Sequence, residues 1–516
     1  MSADDPTSGA AGPARARPPS TGAVVRGVAL STLTFGLSKA VAFGSLLVLT
    51  RLLAPSEFGV VAAVVVVLGL IELGADLGMK ATVIYEQEDG SGDRVQTAFT
   101  LNLLVSGVLT LVGVLAAPVV ADFFHVGHHV WLFRLAALDV LLTGLGSVHD
   151  GLLLRDLRFR TRMGTEVAGA LARAGVGVGL ALAGFGAAAL VWGMLAGTAA
   201  WVIAQWSLSR FRPTFACDRA IARSMVGYGL GAALLEVMAV VTTRLDAVVV
   251  GRILGQRALG LYTVAFRLPD LLLESIAWQV SLVAFPVLAR KRAIDADGVA
   301  GATLRLVRYQ SLLALPLAAG MAVLAGPLVG LVFSARWREA AGVFAAVSVM
   351  SGITAAGFAL GDAFKASGRQ RVMVGLNLVQ LPVLVVTVIA AGPYGITTVA
   401  WARAGGGVLW VALMGGAAAR VLGIPGRAPF AAMWPGIAGA AGVALAAEAV
   451  HRTWGAASTG GLLAAGLAGG IGGAVALAVL APATGREIRG GGLAAWRRLR
   501  GRGAGGNPPP AAAAAA

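Results

Sequence analysis

The chain has 516 residues, of which 57% are hydrophobic and only 13% are charged, and its mean hydropathy is +0.81. Soluble domains carry about 25% charged residues, so a soluble protein of this size would lack the polar surface to cover itself. The bilayer must therefore be the solvent for most of the chain. The net charge of +16 would suggest nucleic acid in a soluble protein. Here the basic residues lie mostly in short segments between apolar runs, which argues against that class.

Apolar runs separated by short polar segments predict about fourteen transmembrane helices. The predicted helices span 27–50, 59–79, 97–119, 130–150, 163–184, 187–208, 225–250, 258–287, 303–331, 340–362, 371–391, 395–417, 430–449 and 459–481. A Pro/Ala/Arg-rich tail at 1–26 precedes them. A basic and then low-complexity tail at 482–516 follows them. The first tail and the low-complexity end of the second are expected to be disordered.

Basic residues predict the orientation of these helices. Most of the 41 lysines and arginines fall in the segments that lie on the same side as the two termini. Cytoplasmic loops carry an excess of Lys and Arg. We therefore expect both termini in the cytoplasm of a protein that crosses the bacterial cytoplasmic membrane an even number of times.

A short sequence element occurs twice, once in each half of the chain. The segment Arg51-Leu-Leu-Ala-Pro-Ser-Glu-Phe-Gly59 resembles Arg252-Ile-Leu-Gly-Gln-Arg-Ala-Leu-Gly260. Both segments begin outward-facing loops, six helices apart. That placement predicts a parallel repeat about an axis along the membrane normal. We expect an N-lobe at 27–208, a C-lobe at 209–417, a cavity between them, and two additional helices at 418–481.

Several short segments carry a resemblance to a known family. They are Arg51 to Gly59, Leu245 to Gly255, Leu259 to Tyr262, Phe285-Pro286, Phe333, Trp337 to Ala340, and Ala366 to Arg369. In their order and spacing the chain resembles the oligosaccharide flippases of the multidrug/oligosaccharidyl-lipid/polysaccharide exporter superfamily, and most closely the polysaccharide-transporter (Wzx-type) branch. The resemblance covers residues 25–480. It implies movement of undecaprenyl-pyrophosphate-linked sugar units from the inner to the outer leaflet.

Several cations lie within the predicted helices, where a charge at the bilayer centre costs about 2.5–3.5 kcal/mol. Such residues should face a wet cavity or each other. A guanidinium offers a rigid fork of donors that suits pyrophosphate oxygens. Our hypothesis is therefore substrate binding, and the alternative is ion pairing between helices. The candidate substrate-binding residues are Lys39, Arg173, Arg244, Arg267 and Arg403.

Acidic residues within the predicted helices suggest coupling to an ion. Carboxylates in a low dielectric can carry protons. No Gly-Lys-Ser/Thr sequence of a nucleotide-binding loop occurs, so we expect H⁺ or Na⁺ movement, or the membrane potential, to drive transport. Ion pairs that only hold helices together are the alternative. The candidate coupling residues are Glu72, Asp76, Asp246, Asp270 and Glu274. The last two lie beside Pro269, which should kink their helix.

The function expected from these features is export of a lipid-linked oligosaccharide for surface polysaccharide, by alternating access. Expected partners are that substrate, membrane lipids and polysaccharide-assembly proteins. We expect no enzymatic activity, cofactor or metal site; His125, His128 and His129 lack the further ligands of a zinc site. One alternative is an ion-coupled multidrug exporter, although a basic cavity disfavours cationic drugs. A membrane polymerase or ligase is the other, and it would need a larger outer loop.

Overall fold

A computed structural model describes residues 21–75, 91–156, 158–209, 211–294, 298–454 and 459–482. These residues form helices joined by short turns, with no β-strand among them. The predicted all-helical membrane fold is therefore confirmed for this part of the chain. Twelve helical segments in it are long and apolar enough to cross a bilayer.

The described residues of the first half form six helices and one 3₁₀ turn, Gly127–His129. Pro55 is the first residue of the second helix, where its missing N–H costs no hydrogen bond. The Glu57 carboxylate accepts a hydrogen bond from the Ala54 N–H at 2.6 Å and so caps the same helix end. The helices are α1 Thr21–Leu52, α2 Pro55–Ala75, α3 Ser91–Phe123, α4 Val130–Arg155, α5 Phe159–Leu182 and α6 Ala187–Leu208.

In the second half, the part of the chain that the structure describes forms nine helices and the 3₁₀ turns Ala335–Ala340 and Gly392–Tyr394. The first of these helices begins after Asp218, whose carboxylate accepts hydrogen bonds from the N–H groups of Ala220 and Ile221. The helices are α7 Arg219–Pro269, α8 Ser275–Ile294, α9 Gly298–Val323, α10 Ala325–Val332, α11 Ala341–Ala366, α12 Gln370–Ala391, α13 Ile396–Leu422, α14 Ala428–Trp454 and α15 Thr459–Leu480.

Helix α7 is broken at Gly255, whose φ of 83° lies in a region that L side chains avoid. Residues 219–254 form its first arm and residues 256–269 its second arm, and the two arms meet at a tight turn. One of the twelve membrane-spanning segments, Thr242–Arg292, includes this turn and so contains the end of one arm and the whole of the other. The total of fourteen crossings therefore stays a prediction.

The kink predicted at Pro269 takes the form of a π turn, Asp270–Glu274, between α7 and α8. Proline cannot donate to the preceding turn and its ring crowds the carbonyl four residues back. A widened turn absorbs that crowding, and π turns are frequent at functional sites.

The same pattern of helix packing occurs in both halves. In the first half α1 packs on α5, α5 on α6, α4 on α6, and α3 on α4. In the second half α7 packs on α12, α12 on α13, α11 on α13, and α9 on α11. Shifting each helix of the first set by six membrane crossings gives the second set, if α10 continues α9. This repetition supports two similar lobes, and α14 and α15 add a pair outside them, with α14 against α9.

The two copies of the repeated element contact each other. We call this contact, between residues 55–59 of α2 and residues 256–260 of α7, the outer seam, following the predicted orientation. A Cβ on Gly59 would overlap the carbonyl oxygen of Gln256, and a Cβ on Gly260 would overlap that of Pro55. Each glycine thus meets the other copy at the equivalent position, as in a contact across a two-fold axis.

Two aromatic side chains extend the outer seam, again in a reciprocal way. Trp337, which is fully buried, donates from Nε1 to the carbonyl oxygen of Thr50 at 2.9 Å. Phe124, also buried, packs against Gly251, where a side chain would collide with its ring. Thr50 and Gly251 are equivalent, since each precedes the arginine that starts one copy of the repeat. The largest hydrophobic core therefore includes residues of both halves at their outer ends.

Candidate functional site

Three arginines predicted to bind substrate lie near one another and come from both halves of the chain. Arg173 comes from α5, and Arg244 and Arg267 come from the two arms of α7. Arg267 interacts electrostatically with both of the others, and all three residues are exposed. Three mutually repelling cations favour an anion between them.

Glu72 of α2 lies beside this group of arginines. Its carboxylate interacts electrostatically with Arg244, Arg173 and Asp139. Gly69, one turn earlier on α2, leaves space for Arg244, whose Nε would lie 4.0 Å from a Cβ there. Arg244 therefore reaches from the second half of the chain to a helix of the first half.

Arg403 of α13 has a different environment, because it is held in an ion pair. Its Nη1 lies 3.1 Å from Oδ1 of Asp246, and it also donates to the carbonyl oxygen of Thr242 at 3.2 Å. The Tyr262 hydroxyl donates to Oδ2 of Asp246 at 2.6 Å, and the guanidinium lies 5.7 Å from the centre of the Phe266 ring. Asp246 is 2% exposed. For these two residues the geometry matches the alternative of helix-to-helix pairing, and their predicted roles remain untested.

The π turn carries two further acids, Asp270 and Glu274, which lie near the same charged groups. Asp270 interacts electrostatically with Glu274, Arg267, Arg403 and Lys39. Glu274 also interacts with Arg403. The turn thus connects the Arg403 pair, the arginine group and Lys39 of α1. Asp76, the last candidate for ion coupling, lies outside the described residues.

Asp139 of α4 also lies at this site, although it is in neither the substrate-binding nor the ion-coupling set predicted from the sequence. It is 6% exposed, and its Oδ1 accepts no hydrogen bond within the described residues. Thr198 of α6 hydrogen-bonds to its carboxylate, and Arg173 interacts with it electrostatically. The sequence does show an aspartate within an apolar helix, but its neighbours come from other helices and cannot be read from the local pattern.

An apolar groove opens next to the charged residues. It has a volume of about 1020 Å³ and lies between α1, α8 and α9. Lys39 lines it beside the π turn, and Lys291 and Arg305 line it near the inner ends of α8 and α9. Between Ser275 and Lys291 the groove follows α8 for about 24 Å at 1.5 Å per residue. Its apolar lining is Gly36, Ala40, Leu271, Leu272, Val280, Ala284, Val287, Leu288, Ala302 and Leu306.

Together these features form an amphiphilic site. The arginine group and Lys39 can bind an anion with several oxygens, and the groove can take a long hydrocarbon chain out of water. Leu271 and Leu272 of the π turn line the groove, whereas Asp270 and Glu274 of the same turn belong to the charged network. The polar and apolar parts therefore share one wall.

Comparison with known proteins agrees with this architecture. A family model described as polysaccharide biosynthesis protein matches residues 48–342, which is more than half of the chain. The succinoglycan biosynthesis transport protein ExoT of Rhizobium meliloti is 26% identical over 64% of this chain and 66% of its own length. The teichuronic acid biosynthesis protein TuaB of Bacillus subtilis is 23% identical over 53% of this chain and 57% of its own length. The chain thus matches less than two thirds of either relative's length.

Two solved structures share the fold. The lipid II flippase MurJ in an inward closed conformation superposes with a TM-score of 0.72 at 12% identity, covering 87% of this chain and 98% of that protein. An inward-facing multidrug resistance transporter of the MATE family gives a TM-score of 0.60 at 17% identity, covering 77% of this chain and 94% of that protein. At these identities the likeness concerns the fold alone.

Proposed function

Because the chain belongs to the family of polysaccharide biosynthesis proteins, we propose that it is a flippase for undecaprenyl-pyrophosphate-linked oligosaccharide, acting by alternating access in the bacterial cytoplasmic membrane. The one observation that carries this proposal is the π turn, Asp270–Glu274, which borders both the charged network and the apolar groove. Such a site fits a substrate with an anionic head and a long apolar chain.

The charges favour a pyrophosphate head. Arg173, Arg244 and Arg267 lie near one another, so an anion between them relieves their repulsion as well as gaining charge-assisted hydrogen bonds. Lys39 stands where the groove reaches the charged network. A pyrophosphate held there would have its sugar in the space between the lobes and its lipid chain in the groove.

The groove favours entry from the inner leaflet. Lys291 and Arg305 lie at its cytoplasmic end under the predicted orientation, where they would attract an anionic headgroup at the membrane surface. The outer seam closes the other side of the molecule. A substrate loaded from within would be released outward once the seam separates, which is the alternating-access cycle. An ion gradient is our proposed driving force.

A multidrug exporter with this fold is the second candidate, and the cations disfavour it. A cationic drug would meet three arginines and Lys39 and would bind poorly to them. An apolar anionic drug would fit the same site. For this reason the test uses a lipid-linked sugar and an unrelated amphiphilic anion side by side.

The experiment measures translocation of a fluorescent lipid-linked diphospho-sugar in vesicles that contain the purified protein. Ala302→Trp fills the groove, and we expect it to reduce translocation at least tenfold, about 1.4 kcal/mol, without changing binding of the soluble diphospho-sugar. Leu445→Trp, at a 74% exposed position of α14, is the matched control and should transport normally. Failure of the unmodified protein to move the lipid-linked sugar, or movement of the unrelated anion alone, would contradict the proposal.

A further inference from the structure

Two buried aspartates within the membrane-spanning helices, one in each half, have different surroundings. Asp246 in the second half is neutralised, because Arg403 pairs with one of its oxygens and Tyr262 donates to the other. Asp139 in the first half is 6% exposed, and its Oδ1 accepts no hydrogen bond from any described residue. An ionised carboxylate oxygen left in this state at membrane depth is costly. A proton on Oδ1 would remove that cost.

We propose that Asp139 is a proton-binding carboxylate that sets, through Arg173, the affinity of the site for its anionic substrate. This inference rests on the proposed transport function and names a residue that regulates substrate binding within it. Asp139 was not among the site residues that the sequence predicted.

The groups that face Asp139 fit a proton site. Thr198 of α6 hydrogen-bonds to the carboxylate, and Arg173 of α5 interacts with it. Glu72 of α2 is the second acid within electrostatic range, and Arg244 of α7 acts on Glu72. Glu72 is exposed whereas Asp139 is buried. Among the described residues, no three His, Cys, Asp or Glu side chains form a group that could hold a metal ion.

Protonation of Asp139 is a simple proton uptake. A hydronium ion gives up a proton and becomes water, and the proton forms an O–H bond at Oδ1 of Asp139. The carboxyl group becomes neutral.

Arg173 connects this proton to the substrate. While Asp139 is ionised, it competes for Arg173 with the pyrophosphate. Once Asp139 is protonated, Arg173 is available to the substrate, so proton binding and substrate binding reinforce each other, as linkage requires. Substrate affinity should therefore rise as the pH falls through the titration of Asp139.

The test measures binding of a soluble prenyl diphospho-sugar to the purified full-length protein from mildly alkaline to mildly acidic pH. This probe is a diphosphate diester whose charge stays constant over that range. We expect the unmodified protein to gain about tenfold in affinity on acidification, within the usual range of coupling between sites. Asp139→Asn should bind tightly at every pH, and Asp139→Glu should restore the pH dependence.

Asp362→Asn is the matched control. Asp362 is 1% exposed and its Oδ2 also lacks a hydrogen-bond partner within the described residues, but it lies near the inner end of α11, beside Lys365. Its variant should keep the normal pH profile. Melting temperatures show that each variant is folded.

Three results would overturn the inference. The first is an unchanged pH profile of substrate affinity in folded Asp139→Asn. The second is a substrate affinity of the unmodified protein that depends on Na⁺ rather than on pH. The third is loss of the pH profile in Asp362→Asn. In contrast, absence of any binding or translocation of the lipid-linked sugar by the unmodified protein would contradict the proposed function itself.

Discussion

The Asp246–Arg403 pair shows how residue-level geometry changes the interpretation of a buried charge. Arg403 was predicted to bind substrate and Asp246 to bind the coupling ion. In the structure they lie 3.1 Å apart, and carbonyl oxygens of α7 take further guanidinium donors. A pair of this kind specifies how α13 sits against α7 and leaves less capacity for a ligand.

Arg403→Ala should therefore destabilise the protein more than it weakens substrate binding. Removing one partner leaves Asp246 buried with an unpaired charge, which costs about 3–5 kcal/mol. Thermal unfolding in detergent measures the loss, and the second variant Asp246→Asn/Arg403→Gln should recover part of it because no uncompensated charge remains. If Arg403→Ala melts like the unmodified protein and only loses substrate binding, Arg403 is a ligand rather than a structural partner.

The sequence could identify which residues are charged within the membrane, but not how they pair. A charge in an apolar helix is evident from composition, and this is how Arg173, Arg244 and Glu72 were found. Their mutual contacts depend on which helices become neighbours, which local patterns do not encode. Asp139 was omitted for this reason, since its significance comes from Thr198 and Arg173 on two other helices.

At the scale of elements, two glycines allow α2 and the second arm of α7 to touch at the outer seam. A Cβ at either Gly59 or Gly260 would overlap a backbone carbonyl of the partner segment, and a backbone cannot rotate away as a side chain can. Small residues at a helix crossing are the usual means of close approach in lipid.

Gly59→Ala and Gly260→Ala should therefore separate the seam. A cysteine at Ala63, which is 1% exposed and lies one turn below Gly59, reports the change when Cys217 is first replaced by alanine. We expect an impermeant maleimide to label this cysteine several times faster in either glycine variant. Gly44→Ala, where no atom lies within 4 Å of the added Cβ, should leave the labelling rate unchanged. Equal rates in all variants would show that the seam does not control outside access.

Elements were predicted better than their irregularities. Most helices start and end within a few residues of the predicted positions, because the length of an apolar run is set by the thickness of the bilayer. The turn at Gly255 was also expected. The π turn after Pro269 was not, since proline signals a disruption without specifying whether the helix bends or widens.

At the scale of the whole molecule, the repeated nine-residue element predicted that the two halves are related. It did not predict that the two copies touch. The repeated helix packing supports the relation over much longer stretches. The contacts that form the seam lie at equivalent positions of the two copies.

Bridging the outer seam should stop transport. Arg252 donates to Nε2 of His125 at 2.6 Å across the two halves, so His125→Cys with Arg252→Cys, in a background without Cys217, places two thiols apart by about the combined length of the two original side chains. A bifunctional thiosulfonate that spans this distance should abolish translocation, and reduction should restore it. Each single-cysteine variant treated in the same way is the control. Continued transport by the bridged protein would show that the seam stays closed throughout the cycle.

The reciprocal contacts of the seam have an evolutionary consequence. Gly59 with Gln256 and Gly260 with Pro55, like Trp337 with Thr50 and Phe124 with Gly251, are the duplicate contacts that two identical chains make about a symmetry axis. Two copies of one self-associating unit, fused end to end, would leave such a pattern. In such an ancestor this surface would already have joined the two subunits.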